Sequence, residues 1–156
     1  MSIDGFRGEI PTSSAFLFSV DDEQIGVFSE VSGLEVSIDV ATYREGGENG
    51  FVHQLPGHMT WPHIVLKRGV CDSDALFAWV NKTAGTGFTA NGNKVTRSTG
   101  AITAIDAAGN ELRSWNLEGV FAVKWTGPRF AVSSGDPLTE EIELAHHGFT
   151  SKPGKS

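Results

Sequence analysis

The strongest constraint in this sequence is a strict alternation of apolar and polar side chains within VSGLEVSIDVATYREGG, residues 31–47. Large apolar side chains occupy every second position: Leu34, Val36, Ile38 and Val40. The positions between them are polar or small: Glu35, Ser37, Asp39 and Ala41. Because successive side chains of a β-strand point to opposite faces, this pattern predicts a half-buried strand whose apolar face packs on a core.

Most of the remaining chain shows the pattern of short strands separated by turns. Runs rich in β-branched and aromatic residues predict strands at residues 15–20, 25–31, 64–68, 95–105, 111–117, 120–125 and 138–147. One segment instead repeats its inner positions at helical spacing, at Leu76, Trp79, Val80 and Thr83. With Asp72 as a cap, it predicts one helix over residues 72–83. The expected fold is therefore mainly β, a sandwich or barrel of antiparallel strands with one flanking helix.

A long irregular segment, EGGENGFVHQLPGHMTWPH, covers residues 45–63. Its glycines and prolines favour either a long extended loop or a loose extended hairpin. It also carries several large apolar side chains: Phe51, Val52, Leu55, Met59 and Trp61. These are too numerous for a solvated linker, so we expect the segment to dock against another surface.

Length and charge bound the architecture and the partners. We expect one domain over residues 1–156, with an arm at 1–13 and a polar, flexible tail at 150–156. The net charge of −7 disfavours electrostatic binding to nucleic acid or anionic membranes. The start of the chain lacks a basic region followed by an apolar run, and no apolar stretch could span a bilayer. These features predict folding in the cytoplasm without stable membrane anchoring.

No group of residues forms a recognisable catalytic, cofactor or metal motif. His53, His58 and His63 are spaced by five residues, which fits no common zinc pattern, and Cys71 is the single cysteine. The glycines of residues 46–50 do not form a dinucleotide or P-loop motif, and no G-x-S-x-G elbow is present. We therefore expect no enzyme activity, no cofactor and no metal.

Several motifs in one fixed order resemble a known family. They are FSEVSGLEVSIDVATYREGGENG (28–50), LPG (55–57) with Trp61 and IVLKRGV (64–70), LFAWV (76–80), RSWNLEGVFAVKWTGP (113–128) and EEIELAHHGF (140–149). Together they resemble the tail tube proteins of contractile phages and of phage-tail-like contractile injection systems, over about residues 15–149.

The resemblance implies a subunit that forms hexameric rings, which stack into a hollow inner tube. The implied partners are further copies of the chain, a contractile sheath protein, baseplate or hub proteins, a tube terminator, and cargo or DNA in the lumen. Particles would assemble in the bacterial cytoplasm and become extracellular on release. The motifs do not separate a phage from an injection system.

Two sets of residues are predicted to serve assembly. The subunit-interface set lies in and around the long segment: Tyr43, Arg44, Glu45, Gly46, Gly47, Asn49, Phe51, Trp61, Lys67 and Arg68. The lumen-facing set is acidic: Glu35, Asp39, Glu141 and Glu143. An acidic wall would repel DNA and other acidic cargo. Alternatively, these carboxylates face bulk solvent or pair with basic residues of a neighbouring subunit.

A second function class is a monomeric β-sandwich that binds carbohydrate or a protein ligand. Trp61, Phe51 and His58 would then form the binding surface. Rings or tubes in the purified protein would favour the tube subunit, and a monodisperse monomer would favour the binding module.

Overall fold

The computed structural model describes residues 13–43, 46–47, 50, 52–71, 73–84, 92, 97–129, 132, 135 and 137–154. Its strands are β1 Ala15–Val20, β2 Glu23–Phe28, β3 Glu30–Ser32, β4 Ser37–Tyr43, β5 His53–Thr60, β6 Ile64–Gly69, β7 Ser98–Ile105, β8 Glu111–Thr126, β9 Thr139–Ala145 and β10 Phe149–Pro153. One helix, α1 Ala75–Ala84, follows β6. The predicted fold class, mainly antiparallel β with one flanking helix, is confirmed.

The strands form one large curved sheet in the order β2-β1-β7-β8-β9-β6-β3, with every neighbouring pair antiparallel. β10 and β9 pair with the same edge of β8 at different points along it. β10 pairs with residues 113–117 of β8, and β9 pairs with residues 121–126. Along β6 and β9, buried positions alternate with partly exposed ones. One face of the sheet therefore packs on the core, and the other face points outward. β4 and β5 pair only with each other, as a separate two-stranded sheet.

The core lies between the two halves of the curved sheet and the helix. Its fully buried side chains come from six strands and α1: Phe18, Phe28, Ile64, Leu66, Leu76, Ile102, Leu117, Val120, Ile142 and Leu144. The predicted helix stripe is confirmed, since Leu76, Trp79 and Thr83 are buried and Val80 packs against the core. The Trp79 ring meets the Phe18 ring edge-on at 5.5 Å. The predicted cap, Asp72, lies outside the described residues.

Two predicted boundaries near the C-terminus are wrong. The strands predicted at 111–117 and 120–125 are one 16-residue strand, β8. The backbone of Glu118 bonds to Gly148 and His147, so pairing continues past the expected break at Glu118 and Gly119. The tail predicted as flexible from residue 150 instead forms most of β10, because its backbone pairs with β8 from Leu117 to Arg113.

The opening alternation forms a strand, but its apolar face is not on the core. Only Leu34 packs against the core, while Val36, Ile38 and Val40 are 46%, 48% and 57% exposed. The reason is topological, since the chain leaves the large sheet at Gly33 (φ +86°) and β4 pairs only with β5. The prediction that this face is buried in the protomer is therefore wrong.

A buried ion pair links β6 to β9 inside the fold. Arg68 Nε donates to Glu140 Oε1 at 2.5 Å, and both side chains are almost fully buried. The indole N–H of Trp125 donates to the other oxygen, Oε2, at 3.3 Å, and the guanidinium of Arg68 lies 5.2 Å from the Phe28 ring centroid. The carboxylate therefore has donors on both oxygens, which a buried charge requires.

Replacing Arg68 by Ala should lower the free energy of unfolding by roughly 3–5 kcal/mol, because the carboxylate of Glu140 would stay buried without its cation. The matched control is Lys67→Ala, which removes the exposed Lys67–Glu141 pair (3.6 Å) on the next residue. That change should cost less than about 1 kcal/mol. Urea unfolding of the soluble protein at pH 7 measures both, and equal losses would contradict the assignment.

Candidate functional site

The hairpin formed by β4 and β5 projects from the large sheet with both of its faces in solvent. Directly opposed residues share a face in an antiparallel pair, and Ile38 lies opposite Met59 and Val40 opposite Pro56. These four residues form what we call the apolar face of the hairpin. Ile38, Val40 and Met59 are each about half exposed. No other described strand or helix pairs with this surface.

A β-bulge in β5 shapes the apolar face. Between the Ile38 and Val40 pairings, β5 carries one more residue than β4, so Gly57 and His58 lie opposite Asp39. A side chain at Gly57 would be held 3.0 Å from the Asp39 carbonyl oxygen, so glycine is the residue that fits this approach. Pro56 and Met59 are three residues apart, so in a regular strand they would point to opposite faces. The bulge places both on the apolar face of the hairpin.

The opposite face of the hairpin carries the predicted interface residue Tyr43. Its ring is 56% exposed and lies 6.4 Å from the His53 ring. Leu55, on the same face, is also about half exposed. An isolated two-stranded hairpin is only marginally stable in water, so a hairpin exposing apolar side chains on both faces is a surface suited to association.

The base of the hairpin is fixed to the large sheet by aromatic packing. The half-buried Trp61 ring lies 5.0 Å from the Phe149 ring and 6.0 Å from the His146 ring. Gly148 N–H donates to His146 Nδ1 and His146 Nε2 donates to the Pro62 carbonyl, each at 3.1 Å. Since Nδ1 accepts, the bonding fixes His146 as the neutral tautomer protonated on Nε2. Trp61 thus anchors the hairpin within its own protomer.

The remaining predicted interface residues fall into three groups. Gly46 and Gly47 are exposed beyond the end of β4, and Lys67 is partly exposed on the outer face of β6. Arg68 is buried against Glu140 within the protomer, and its role at a subunit interface stays a prediction. The others lie outside the described residues: Arg44, Glu45, Asn49 and Phe51.

The outer face of the sheet β3-β6-β9-β8 carries charges of alternating sign from strand to strand. Lys67 Nζ lies 3.6 Å from Glu141 Oε1, and His63 Nδ1 lies 2.8 Å from Glu143 Oε1. Glu30 lies opposite Lys67, and Lys124 lies opposite Glu143. We call these six residues the charged ladder. Each acidic member has a basic or titratable neighbour on the adjacent strand.

The predicted lumen-facing residues therefore divide between two places. Glu141 and Glu143 share the outer face of β9 within the charged ladder. Glu35 and Asp39 are exposed, but they lie before and within β4 and not on that face of the large sheet. The structure brings the first two together, leaves Glu35 just before the hairpin and places Asp39 on it.

The sequence patterns did not predict two pairs of bonded residues, Arg68 with Glu140 and Arg97 with His147. For Arg68, however, the patterns already indicated a buried position. In β6, Arg68 lies two residues after Leu66 and four after Ile64, both of which are buried. Because side chains alternate between the two faces of a strand, this spacing places Arg68 on the buried face. Its partner Glu140 depends on the pairing register with β9, which alternation does not specify. The contact of Arg97 with His147 likewise joins residues 50 positions apart.

Among the described residues, no group of three or more His, Cys, Asp or Glu converges in a way that could hold a metal ion. His63 is bonded to Glu143. No helix in the described part of the chain is long and apolar enough to cross a membrane.

The comparisons with known proteins identify the family. The model of the family described as T4-like virus tail tube protein gp19 matches residues 12–150, so the chain belongs to this family of tail tube proteins. It is thus a tube protein of the phage-tail and contractile-injection class, and the binding-module alternative is not favoured. A comparison with curated proteins found no match.

Three solved structures illustrate the relationship. The sheath-tube complex of the extracellular contractile injection system PVC contains a chain with 30% identity and a TM-score of 0.76, and the match covers 98% of this chain and 99% of that one. The tube terminating cap of the anti-feeding prophage (AFP) gives 28% identity, a TM-score of 0.76 and the same coverages. Hcp1 from Flavobacterium johnsoniae, at 20% identity, a TM-score of 0.50 and coverages of 90% and 96%, shows the fold alone.

Replacing Gly33 by Ala should detach the base of the hairpin. Gly33 has φ +86°, and a Cβ there would overlap the His63 carbonyl oxygen. The left-handed conformation alone costs an L-residue about 1–2 kcal/mol. Gly46→Ala is the control, since its Cβ would meet nothing within 4 Å. Thermal unfolding should show a clear loss for the first variant and almost none for the second; similar behaviour would disprove this role of Gly33.

Proposed function

We propose that this chain forms hexameric rings that stack into a rigid hollow inner tube inside a contractile sheath. We infer a structural role without enzyme activity, which the match to a family of tube proteins supports. The PVC matches come from a sheath-tube complex and from a sheath/tube terminator, which supports sheath and terminator proteins as partners. Baseplate or hub proteins would meet the other end, and the lumen would carry cargo or DNA. Assembly would take place in the bacterial cytoplasm, before release of the particle.

The observation that carries the proposal is the projecting hairpin. β4 follows β3 along the chain and β5 leads into β6, so the hairpin extends from two neighbouring strands of the large sheet. It places an apolar face and exposed strand edges beyond the body of the protomer, where a monomer gains nothing from them. We assign this surface, with Tyr43, Gly46 and Gly47 near its tip, to contacts between stacked rings.

Ring closure is supported by two open edges of the large sheet. Among the described residues, β3 pairs only with β6, and residues 121–126 of β8 pair only with β9. These edges are the two ends of the four-strand unit β3-β6-β9-β8. A second copy placed beside the first could pair one edge with the other, and a closed ring would leave neither exposed.

The outer face of that four-strand unit is the proposed lumen wall. It combines the charged ladder with the small polar side chains of Ser32 and Thr126 and the apolar side chain of Val65. The sequence predicts an acidic wall that repels DNA, whereas Glu141 and Glu143 each contact a basic or titratable neighbour within the protomer. The proposed wall is therefore polar and largely charge-paired, which disfavours adhesion of passing cargo.

The triple variant Ile38→Thr, Val40→Thr and Met59→Gln should remain folded but form no long tubes. The changes remove the apolar face while keeping strand-compatible residues at two positions. Val70→Thr with Leu138→Thr is the control, because those side chains are 50% and 41% exposed at the end of β6 and just before β9. Negative-stain microscopy and sedimentation velocity measure assembly. Normal polymerisation of the triple variant would refute the ring-stacking role.

Thr126→Cys in a Cys71→Ser background tests the lumen assignment. Thr126 lies opposite Glu141 and shares its outward face. In assembled tubes, a small maleimide should label this cysteine, whereas a 20-kDa polyethylene-glycol maleimide should be excluded. Lys152→Cys on β10, outside the four-strand unit, should react with both reagents. Equal reaction of the two cysteines with the large reagent would place the charged ladder on the outer wall.

A further inference from the structure

The charge of the charged ladder changes sign at every strand of the four-strand unit β3-β6-β9-β8. The members on the strands are acidic Glu30 on β3, basic Lys67 on β6, acidic Glu141 and Glu143 on β9, and basic Lys124 on β8. Directly opposed residues of antiparallel strands share a face, so all of these side chains lie on the outer face of the unit. Because the number of strands is even, the unit carries a negative charge at one end and a positive charge at the other.

The two charges at the ends of the unit differ from the inner ones. Lys67 contacts Glu141, and Glu143 is bonded to His63. Glu30 and Lys124 are exposed, and within the described part of the chain neither takes part in an ion pair or a side-chain hydrogen bond. Their charges are therefore available to a neighbouring molecule.

We propose that Lys124 of one copy pairs with Glu30 of the next copy around the ring, so that the alternation of sign continues from subunit to subunit. This inference rests on the proposed ring. It names the charged contact that selects which edge of one copy meets which edge of the next.

The strand directions are compatible with this contact. Each neighbouring pair in the order β3-β6-β9-β8 is antiparallel, so β3 and β8 run in opposite directions. Copies related by rotation about a ring axis keep the same orientation along that axis. Residues 121–126 of β8 in one copy would therefore meet β3 of the next copy as an antiparallel pair, and the outer faces would be continuous.

The pairing register brings the two charges within reach. One row across the unit contains Glu30, Lys67, Glu141 and Thr126. If this row continues into the next copy, Thr126 faces its Glu30, and Lys124 is the diagonal neighbour of that carboxylate. Diagonal neighbours lie roughly 7–8 Å apart, which long side chains can bridge. The stagger that a closed barrel requires, if it amounts to two residues at this junction, would place the two residues directly opposite each other.

Opposite charges at the two ends favour a closed ring over a two-fold dimer. Two copies that met through β3 would place Glu30 beside Glu30, and two that met through β8 would place Lys124 beside Lys124. Like charges on neighbouring strands are destabilising, whereas the head-to-tail contact of β8 with β3 pairs opposite charges. Head-to-tail contacts are the ones that generate rings, so the ladder acts for ring closure and against the wrong pairings.

Charge reversal at the two ends tests the pair. Glu30→Lys would place two lysines, and Lys124→Glu two glutamates, at every junction between copies. For each variant alone, the protein concentration at which half of the chains are in rings should rise about tenfold or more, because like charges on neighbouring strands are destabilising. An equimolar mixture should assemble as the wild type does, since rings in which the variants alternate have one lysine and one glutamate at every junction. Mass photometry and sedimentation velocity measure ring formation.

The mixture separates this contact from effects inside the protomer. Glu30→Lys also faces Lys67 of its own chain, and Lys124→Glu also faces Glu143, but mixing cannot relieve either repulsion. Recovery on mixing therefore reports on the junction alone. With a tag on one variant, native mass spectrometry should show rings that contain the two variants in equal number. Lys124→Gln, which removes the charge without adding repulsion, should weaken assembly by a smaller factor and serves if a reversal impairs folding.

The matched controls are Glu111→Lys and Lys152→Glu, which reverse exposed charges outside the four-strand unit. Both should assemble as the wild type does, alone and together. Wild-type rings combined with single reversals that assemble normally, or with a mixture that stays unassembled, would overturn the pairing and leave the proposed ring standing. A wild-type chain that forms no rings would overturn the proposed function, and the pairing with it.

Discussion

The protomer depends most on the backbone pairing of β8. The first part of this strand pairs with β7 and β10, and its second part pairs with β9. Leu117, Val120 and Ala122 from its middle are buried in the core. Gly119 takes φ +60° in a bulge, where Glu118 and Gly119 lie opposite the single residue Thr99 of β7, and this is why Leu117 and Val120 face the core despite their odd spacing. One strand thus sets the register of both halves of the sheet, and a one-residue slip there would turn core side chains outward.

This arrangement buries the core but leaves the association surfaces uncovered. The strands around β8 close on Phe18, Ile102 and Leu144, whereas the hairpin keeps its apolar residues about half exposed. A protomer with such surfaces gains stability when a second copy covers them, by the same removal of apolar area from water that stabilises its core. The proposed assembly and the fold therefore draw on one physical effect, applied within the chain in one case and between chains in the other.

The hairpin is joined to this core by a rigid base. Trp61 packs on Phe149, and His146 bonds the chain after β5 to the turn between β9 and β10. On the other strand, Leu34 packs on the core just after the positive-φ Gly33. Fixing both strands at their base limits the directions in which the tip can point. A fixed direction suits a surface that must meet the same site on every copy.

The sequence by itself determined the strand-rich class, the helix stripe at Leu76 and Trp79, and the family, since these rest on local period and on motif order. It also placed Glu141 and Glu143 together on one face of β9. Only the tertiary structure decided what covers each apolar face: the same alternation is buried in β6 and solvent-exposed in β4. It also decided that Glu140 pairs with Arg68. Alternation in the sequence shows that the two faces of a strand differ in polarity. Which residues each face contacts depends on the pairing register and the strand order, and these bring together residues some 70 positions apart.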